Sequence, residues 1–190
     1  MTASPLRLLS NRDGLAATEF ALILPVLLLM FFGMLEGSDI LTVSRRLSHT
    51  ANTVADLAAR ERTINHTELN DMLVGARRLL EPTNTSTLNI TVVSVISAGS
   101  PARPTVHWSR DINGATPYAA GVPYMNLSNT ASLNAASSLI VVEIDYTYDS
   151  GLTSEVFHRP YTFDFEAKRL PRKSTRVQLC NTATPVVCTS

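Results

Sequence analysis

The sequence lacks the motifs on which most enzymatic and metal-binding sites are built. It contains no nucleophile elbow, no phosphate-binding loop and no Cys-x-x-Cys pair. Its four histidines, His49, His66, His107 and His158, have no carboxylate or cysteine neighbour at a metal-ligand spacing. We therefore predict that the protein is not an enzyme, holds no metal and uses no cofactor.

An excess of charge of one sign is also missing. Sixteen basic residues balance sixteen acidic ones, and charged residues make up 17% of the chain. Recognition of nucleic acid depends on a basic surface that neutralises phosphates. The composition therefore predicts no nucleic-acid partner.

Cysteine is scarce, and its position is informative. The two cysteines, Cys180 and Cys188, lie near the C-terminus, so neither is placed as a lipoprotein cysteine would be. In an oxidising compartment two cysteines this close would form a local disulfide, whereas in the cytoplasm they would be free thiols. The prediction of a disulfide therefore depends on where this part of the chain resides.

What the sequence does contain is a long apolar run near its start. In residues 15–35 the side chain of Glu19 is the single ionisable group. As a helix with a rise of about 1.5 Å per residue, the run would measure roughly 31 Å, close to the thickness of a bilayer's hydrocarbon core. We interpret residues 15–36 as a membrane-spanning helix.

Two features inside this helix have both a functional and an ordinary interpretation. Pro25 removes one backbone hydrogen bond and predicts a kink, which membrane helices tolerate without a functional reason. Gly33 and Gly37 form a Gly-x-x-x-Gly pair that allows close packing of helices. A lone pair of this kind also occurs by chance, so both interpretations stay open.

The helical pattern continues beyond the apolar run. An apolar stripe at three- and four-residue spacing predicts that the helix extends through residues 37–62. The stripe consists of Ile40, Val43, Leu47, Ala51, Val54 and Ala58. Asn65 and Glu68 then have the spacing of a capping pair at the start of a second amphipathic helix, which Pro82 ends.

From residue 87 onward the pattern changes to the alternation of strands. We predict strands near residues 88–95, 105–110, 138–148 and 152–165, with the last two as an antiparallel hairpin at the centre of a small sheet. The sequence of residues 111–137 predicts a long irregular connection between the second and third of these strands. The basic tail is interpreted as a solvated surface strand rather than a binding patch; it contains Lys168, Arg169, Arg172, Lys173 and Arg176. The predicted fold class is α+β.

The start of the apolar run resembles the processing site of type IV prepilins. A short leader with Arg7 and Arg12 precedes Gly14, and Glu19 follows at the fifth position after it. Over residues 11–60 the sequence is similar to the N-terminal segment of the TadE/TadG-like proteins, minor pseudopilins of the Tad (tight adherence) pilus. Thr18 departs from that family, which commonly has valine before the glutamate.

This resemblance implies a function and a topology. A prepilin peptidase would cut between Gly14 and Leu15, removing residues 1–14 as a leader. Glu19, together with Phe20, would serve subunit assembly by meeting the new N-terminal amine of a neighbouring pilin. The fold would be pilin-like, in the inner membrane with the N-terminus cytoplasmic and residues 63–190 as a periplasmic α+β domain. The partners would be the peptidase, other pilins and pseudopilins, and Tad assembly proteins.

A second interpretation stays open at this point. The same apolar run would serve an uncleaved, signal-anchored periplasmic module with a binding or adhesive role. Such an anchor has no need of Gly14 or Glu19, which is why the pseudopilin interpretation is preferred. An anchored enzyme has little support, and the sequence does not decide between the TadE and TadG types or between the filament and the membrane as the final location.

Overall fold

A computed structural model of the 190-residue chain describes residues 14–98, 103–127, 138–149, 160–182 and 186–189. The chain divides into two compact units, Met1–Leu41 and Thr42–Ser190. Its elements run from a long helix through a second helix to a set of mainly antiparallel strands. The predicted α+β class is confirmed.

The first helix, α1, spans Leu15–Arg60. Its 46 residues include Pro25, and the helix continues on both sides of that proline. The predicted extension beyond the apolar run is therefore confirmed, and the helix ends two residues before the expected boundary at residue 62. The kink at Pro25 remains a prediction.

The surface of α1 changes character along its length. In its apolar portion the side chains are exposed, and this portion is long and apolar enough to cross a membrane. From Val43 onward one side of the helix is buried, as the apolar stripe predicts, although Ile40 is only partly covered. The buried residues are Val43, Leu47, Thr50, Ala51, Val54, Ala55, Ala58 and Ala59.

The second helix, α2, spans His66–Leu79 and begins with the predicted capping box. The Asn65 side chain accepts a hydrogen bond from the Glu68 backbone N–H at 2.8 Å, and the Glu68 carboxylate accepts one from the Asn65 N–H at 3.0 Å. The donors belong to the N-cap residue and to the first turn, where no intrahelical acceptor exists. The local sequence is therefore sufficient to place the start of this helix.

Four strands form the main sheet: β2 (Asn89–Ala98), β3 (Arg103–Asp111), β4 (Ser138–Tyr148) and β5 (Tyr161–Arg169). They lie in the order β3-β2-β4-β5, and all pairs are antiparallel. The prediction of a β4–β5 hairpin at the centre is wrong, because β5 is the last strand in this order and the central pair is β2 and β4. The reason is that β2 is buried on both faces from Ile90 to Val95, as a central strand must be. Most of the predicted strand at 152–165 lies outside the described residues.

A second, two-stranded sheet joins the end of the chain to the connection between the helices. Its strands, β1 (Thr63–Asn65) and β6 (Gln178–Cys180), are parallel. Nearby, the buried Trp108 indole donates a hydrogen bond to the Val177 carbonyl at 2.8 Å. No sequence pattern predicted this sheet, because three-residue strands leave no periodic signal.

The two faces of the main sheet meet different parts of the chain. One face carries Val93 and Val141, which belong to a buried apolar cluster completed by Tyr124 and Leu127 of the connection after β3. On the other face Ile140 lies opposite Arg169, whose guanidinium donates to the Asn52 side chain of α1 at 2.8 Å. The buried part of α1 therefore contacts β5 on this side of the sheet.

The basic segment after β5 contacts α1 as well. The Arg172 backbone N–H donates to the Ala59 carbonyl at 2.9 Å, and its guanidinium forms an ion pair with Asp56. The Lys173 ammonium lies 4.0 Å from the Glu61 carboxylate. The prediction of a solvated surface strand is therefore wrong. Of the five basic residues only Lys168 and Arg169 belong to a strand, and the segment after them contacts α1. Its exposed ion pairs contribute about 0–1 kcal/mol each.

The packing of α2 gives a direct test of this core. Leu73 is 1% exposed and Leu79, in the same helix, is 52% exposed. We expect Leu73→Ala to lower the free energy of unfolding by about 2–5 kcal/mol, because a cavity remains, and Leu79→Ala to change it by less than about 0.5 kcal/mol. Denaturant unfolding of the detergent-solubilised protein measures both, and equal losses would contradict the assignment of this helix face.

Candidate functional site

The predicted processing site lies at the start of α1. Gly14 precedes the helix, and its carbonyl accepts the hydrogen bond of the Thr18 N–H at 3.1 Å, the first of the helical series. Leu15 is therefore the first helical residue. The leader that the sequence predicts, apart from Gly14, lies outside the described residues.

Thr18, the residue that departs from the expected valine, is accommodated by the helix itself. Its hydroxyl donates to the Leu15 carbonyl at 2.8 Å. A hydroxyl transferred from water into an apolar environment is unfavourable unless it is hydrogen-bonded, and this contact satisfies it within one turn. Threonine is thus compatible with the apolar segment.

Glu19 lies one helical turn after Leu15, so the two side chains lie on the same side of α1. Leu15 and Phe20 are each 58% exposed, and Glu19 is exposed as well. The fold places the carboxylate close to the end at which a new amine would form. It also leaves the surrounding apolar surface open to lipid or to another helix.

Gly33 and Gly37 lie one turn apart on α1, and a methyl group added to either would meet no atom within 4 Å. No packing contact within the described chain requires a glycine at these positions. A role in helix packing would therefore need a neighbouring helix, and the assignment remains a prediction.

A polar cluster that sequence reasoning missed lies on the sheet. The two carboxylate oxygens of Glu143 in β4 accept hydrogen bonds from the hydroxyls of Tyr118, at 2.8 Å, and Tyr124. The Asn126 amide donates to Glu143 at 3.2 Å, and the two tyrosine rings meet edge to face with centroids 5.5 Å apart. The tyrosines come from an irregular connection, so no periodicity could have placed them beside Glu143.

The protonation of this cluster determines what it can do. Burial, followed by the hydrogen bond to Glu143 and its charge, raises the pKa of Tyr118 to about 12. The same causes raise the pKa of the more deeply buried Tyr124 further. Both phenols therefore stay protonated donors at physiological pH, and the cluster fastens the connection to the sheet rather than offering a nucleophile.

A cavity of about 410 Å³ lies between β3, the start of α2 and the C-terminal residues. His66, His107, Trp108 and Cys188 are among its lining residues. Burial, and then the positive charge of Arg110, lower the pKa of His66, so its imidazole is neutral near pH 7. Within the described ranges, no group of three or more His, Cys, Asp or Glu side chains is arranged to hold a metal ion.

Residues 14–60 match the family model described as TadE-like protein. This segment of the chain is TadE-like. The match begins at Gly14 and ends at Arg60, so it covers α1 in full together with the glycine before it. The match indicates an association with a Tad pilus. No curated protein and no solved structure matches the chain.

The family match confirms the resemblance predicted from Gly14, Glu19 and the apolar run. The sheet and its polar cluster lie outside the TadE-like segment, so their roles rest on their own geometry. Cys180 and Cys188 are bonded to each other, as the sequence predicts for an oxidising compartment. The bond links the last residue of β6 to Cys188, and β6 itself pairs with β1.

The disulfide gives a stability prediction. In the chain-entropy model, removing a disulfide that closes a loop of this size lowers the free energy of unfolding by about 2–3 kcal/mol. The double variant Cys180→Ser with Cys188→Ser should therefore melt earlier than the parent protein. Reductant should lower the melting temperature of the parent and leave that of the variant unchanged. Alkylatable thiols in protein extracted from native membranes would contradict both the bond and an oxidising location.

A pH dependence follows from two facing carboxylates beside the polar cluster. Asp145 lies opposite Asp164 in the register of β4 and β5. Partial burial, and then the negative charges of Asp164 and Glu143, raise the pKa of Asp145 above its usual 3.8. Protonated Asp145 contributes its full stability at a pH below the pKa that its carboxyl has in the unfolded chain. This contribution is lost as the pH rises through the higher pKa that the carboxyl has in the folded protein. At neutral pH the charged Asp145 therefore destabilises the fold.

We expect Asp145→Asn to raise the melting temperature at pH 7 by about 1–3 °C, a small effect because the side chain is only partly buried and solvent screens its charge. The gain should fade as the pH drops below the usual carboxyl pKa of 3.8, where the parent side chain is protonated in both the folded and the unfolded state. Asp149→Asn, at an exposed position after β4, is the matched control and should change little. A gain that persists at pH 3.5 would show that charge is not its cause.

Proposed function

We propose that this protein is a minor pseudopilin of a Tad-type pilus, processed by a prepilin peptidase and required for pilus assembly and surface adherence. The observation that carries the proposal is the coincidence of three features within the TadE-like segment. The helix begins directly after Gly14, Glu19 lies one turn further on, and the helix then presents an exposed apolar surface.

The chemistry of the processed end supports this role. Cleavage between Gly14 and Leu15 would leave a charged amine on Leu15, next to a carboxylate in an apolar segment. Isolated charges in hydrocarbon are expensive, whereas a paired amine and carboxylate cost much less. A subunit whose amine meets the Glu19 carboxylate of a neighbour would therefore dock in a defined register. The unfavourable solvation of separate charges would oppose other registers.

The exposed apolar surface supports two kinds of partner. Residues 15–36 form the proposed inner-membrane span, and neighbouring pilins or pseudopilins would contact the same surface in an assembly. Phe20 is a large exposed side chain beside Glu19, and Gly33 with Gly37 would allow a helix to approach closely near the other end. Residues 37–62 and 63–190 would then be periplasmic.

The disulfide supports this orientation. Disulfides persist in oxidising compartments such as the periplasm and are rare in the cytoplasm. A cytoplasmic N-terminus would expose the bond after Gly14 to the peptidase and place Cys180 and Cys188 on the oxidising side. The proposed orientation therefore agrees both with cleavage near the N-terminus and with a disulfide near the C-terminus.

The decisive experiment compares Glu19→Ala with Asp39→Ala, an exposed carboxylate of α1 outside the apolar run. Glu19→Ala should insert and be cleaved, because the peptidase would read mainly the glycine and the leader. The level of piliation should fall by more than about tenfold, because the N-terminal amine of the neighbouring subunit would lose its carboxylate partner. Asp39→Ala should piliate normally.

The measurements are membrane abundance, the mass of the N-terminal peptide, and a pilus or adherence assay in the native host. An assembled parent protein that retains residues 1–14 would favour the uncleaved anchor instead. Normal piliation by Glu19→Ala at normal abundance would show that Glu19 is only an interfacial carboxylate.

A further inference from the structure

The bond proposed to be cut lies at the very start of α1, and its carbonyl belongs to the helix. The Gly14 oxygen accepts the Thr18 N–H at 3.1 Å, and the Leu15 oxygen accepts the Thr18 hydroxyl at 2.8 Å. One residue thus holds the carbonyl groups on both sides of the bond. We infer that the first turn of α1 must open before the peptidase can act, and that Thr18 is the positioning residue that sets how readily it opens.

The inference rests on the proposed function and follows from the chemistry of hydrolysis. The oxygen of a water molecule forms a bond to the Gly14 carbonyl carbon. The bond from that carbon to the Leu15 nitrogen then breaks, leaving a carboxylate on Gly14, and the protons of the water go to the Leu15 amine. In this step the Gly14 oxygen becomes negatively charged and must be held by donors of the peptidase. A carbonyl already directed along the helix toward Thr18 is poorly oriented for such donors.

Opening needs only the first turn. Helical hydrogen bonds between residues that both follow Thr18 are unaffected, so the remainder of the proposed membrane span stays helical while residues 14–18 unwind. Helix ends fray more readily than helix interiors, because each end residue is held by fewer hydrogen bonds. The hydroxyl of Thr18 adds a bond across this turn, which must also break.

The contribution of the hydroxyl can be separated from that of the helix. Valine has the shape and the β-branch of threonine and lacks the hydroxyl, so Thr18→Val removes the contact with the Leu15 carbonyl alone. A hydrogen bond of ordinary strength corresponds to a change of roughly twofold to tenfold in the population of the open turn. Thr18→Ser keeps a hydroxyl that can make the same contact.

The helical turn can be weakened independently at Ala17. Glycine in a helix is less favourable than alanine by about 1 kcal/mol, so Ala17→Gly should raise the population of the open turn by about fivefold. Ala21→Gly is the matched control, because it makes the same substitution one turn later and leaves the hydrogen bonds of residues 14–18 in place.

The experiment measures the initial rate of leader release from the full-length protein in membranes, with a limiting amount of prepilin peptidase. Mass spectrometry quantifies the N-terminal peptides, and the abundance of each variant in the membrane is measured in parallel. We expect faster release by roughly twofold to tenfold for Thr18→Val and Ala17→Gly. Thr18→Ser and Ala21→Gly should stay within about twofold of the parent.

The outcomes that contradict the inference are distinct from failure of the proposed function. If the parent is cut and Thr18→Val and Ala17→Gly are cut at the same rate or more slowly, opening of the turn does not limit cleavage and the inference is wrong. Equal acceleration by Ala21→Gly would show that the effect is not local to the first turn. A parent that the peptidase does not cut at all overturns the proposed function and the inference together.

Discussion

The apolar surface of α1 is the constraint on which the rest of the structure depends. Residues 15–35 form helix with large side chains such as Leu22 and Leu29 well exposed, and the hydrophobic effect strongly disfavours such a surface in water. It needs lipid or another helix as its surroundings. The same unbroken helix then provides the buried stripe from Val43 to Ala59. One element therefore supplies both a segment for an apolar environment and part of the core of a folded domain.

The folded domain closes on α1 through its own C-terminal part. Arg169 contacts Asn52, Arg172 contacts Ala59, and β6 pairs with β1 directly after the helix. These contacts join residues more than a hundred positions apart in the chain, so closing them costs more chain entropy than a local contact does. The disulfide between Cys180 and Cys188 closes a short loop directly after β6 and stabilises the fold by restricting that loop in the unfolded state.

The sequence predicts what local interactions determine and misses what the sheet topology brings together. The start of α2 follows from Asn65 and Glu68, which are three residues apart and satisfy each other's backbone donors. The order of the strands has no such local signal, so the sequence pattern did not reveal that β5 is the last strand of the sheet. The contact between Glu143 and Tyr124 depends on an irregular connection whose path no pattern specifies. Gly14 and Glu19 could be found because the proposed site is a short stretch of one helix.

The different requirements of α1 and of the sheet give a physical reason for the extent of the family match. It covers α1 and the glycine before it and stops where the helix stops. Within α1 the proposed function needs particular groups at fixed spacing: a glycine at the cut, a carboxylate one turn later and an uninterrupted apolar surface. The sheet needs only apolar residues that alternate along its strands, and many sequences satisfy that requirement. The proposed assembly mechanism would therefore constrain the sequence of the helix more tightly than that of the sheet.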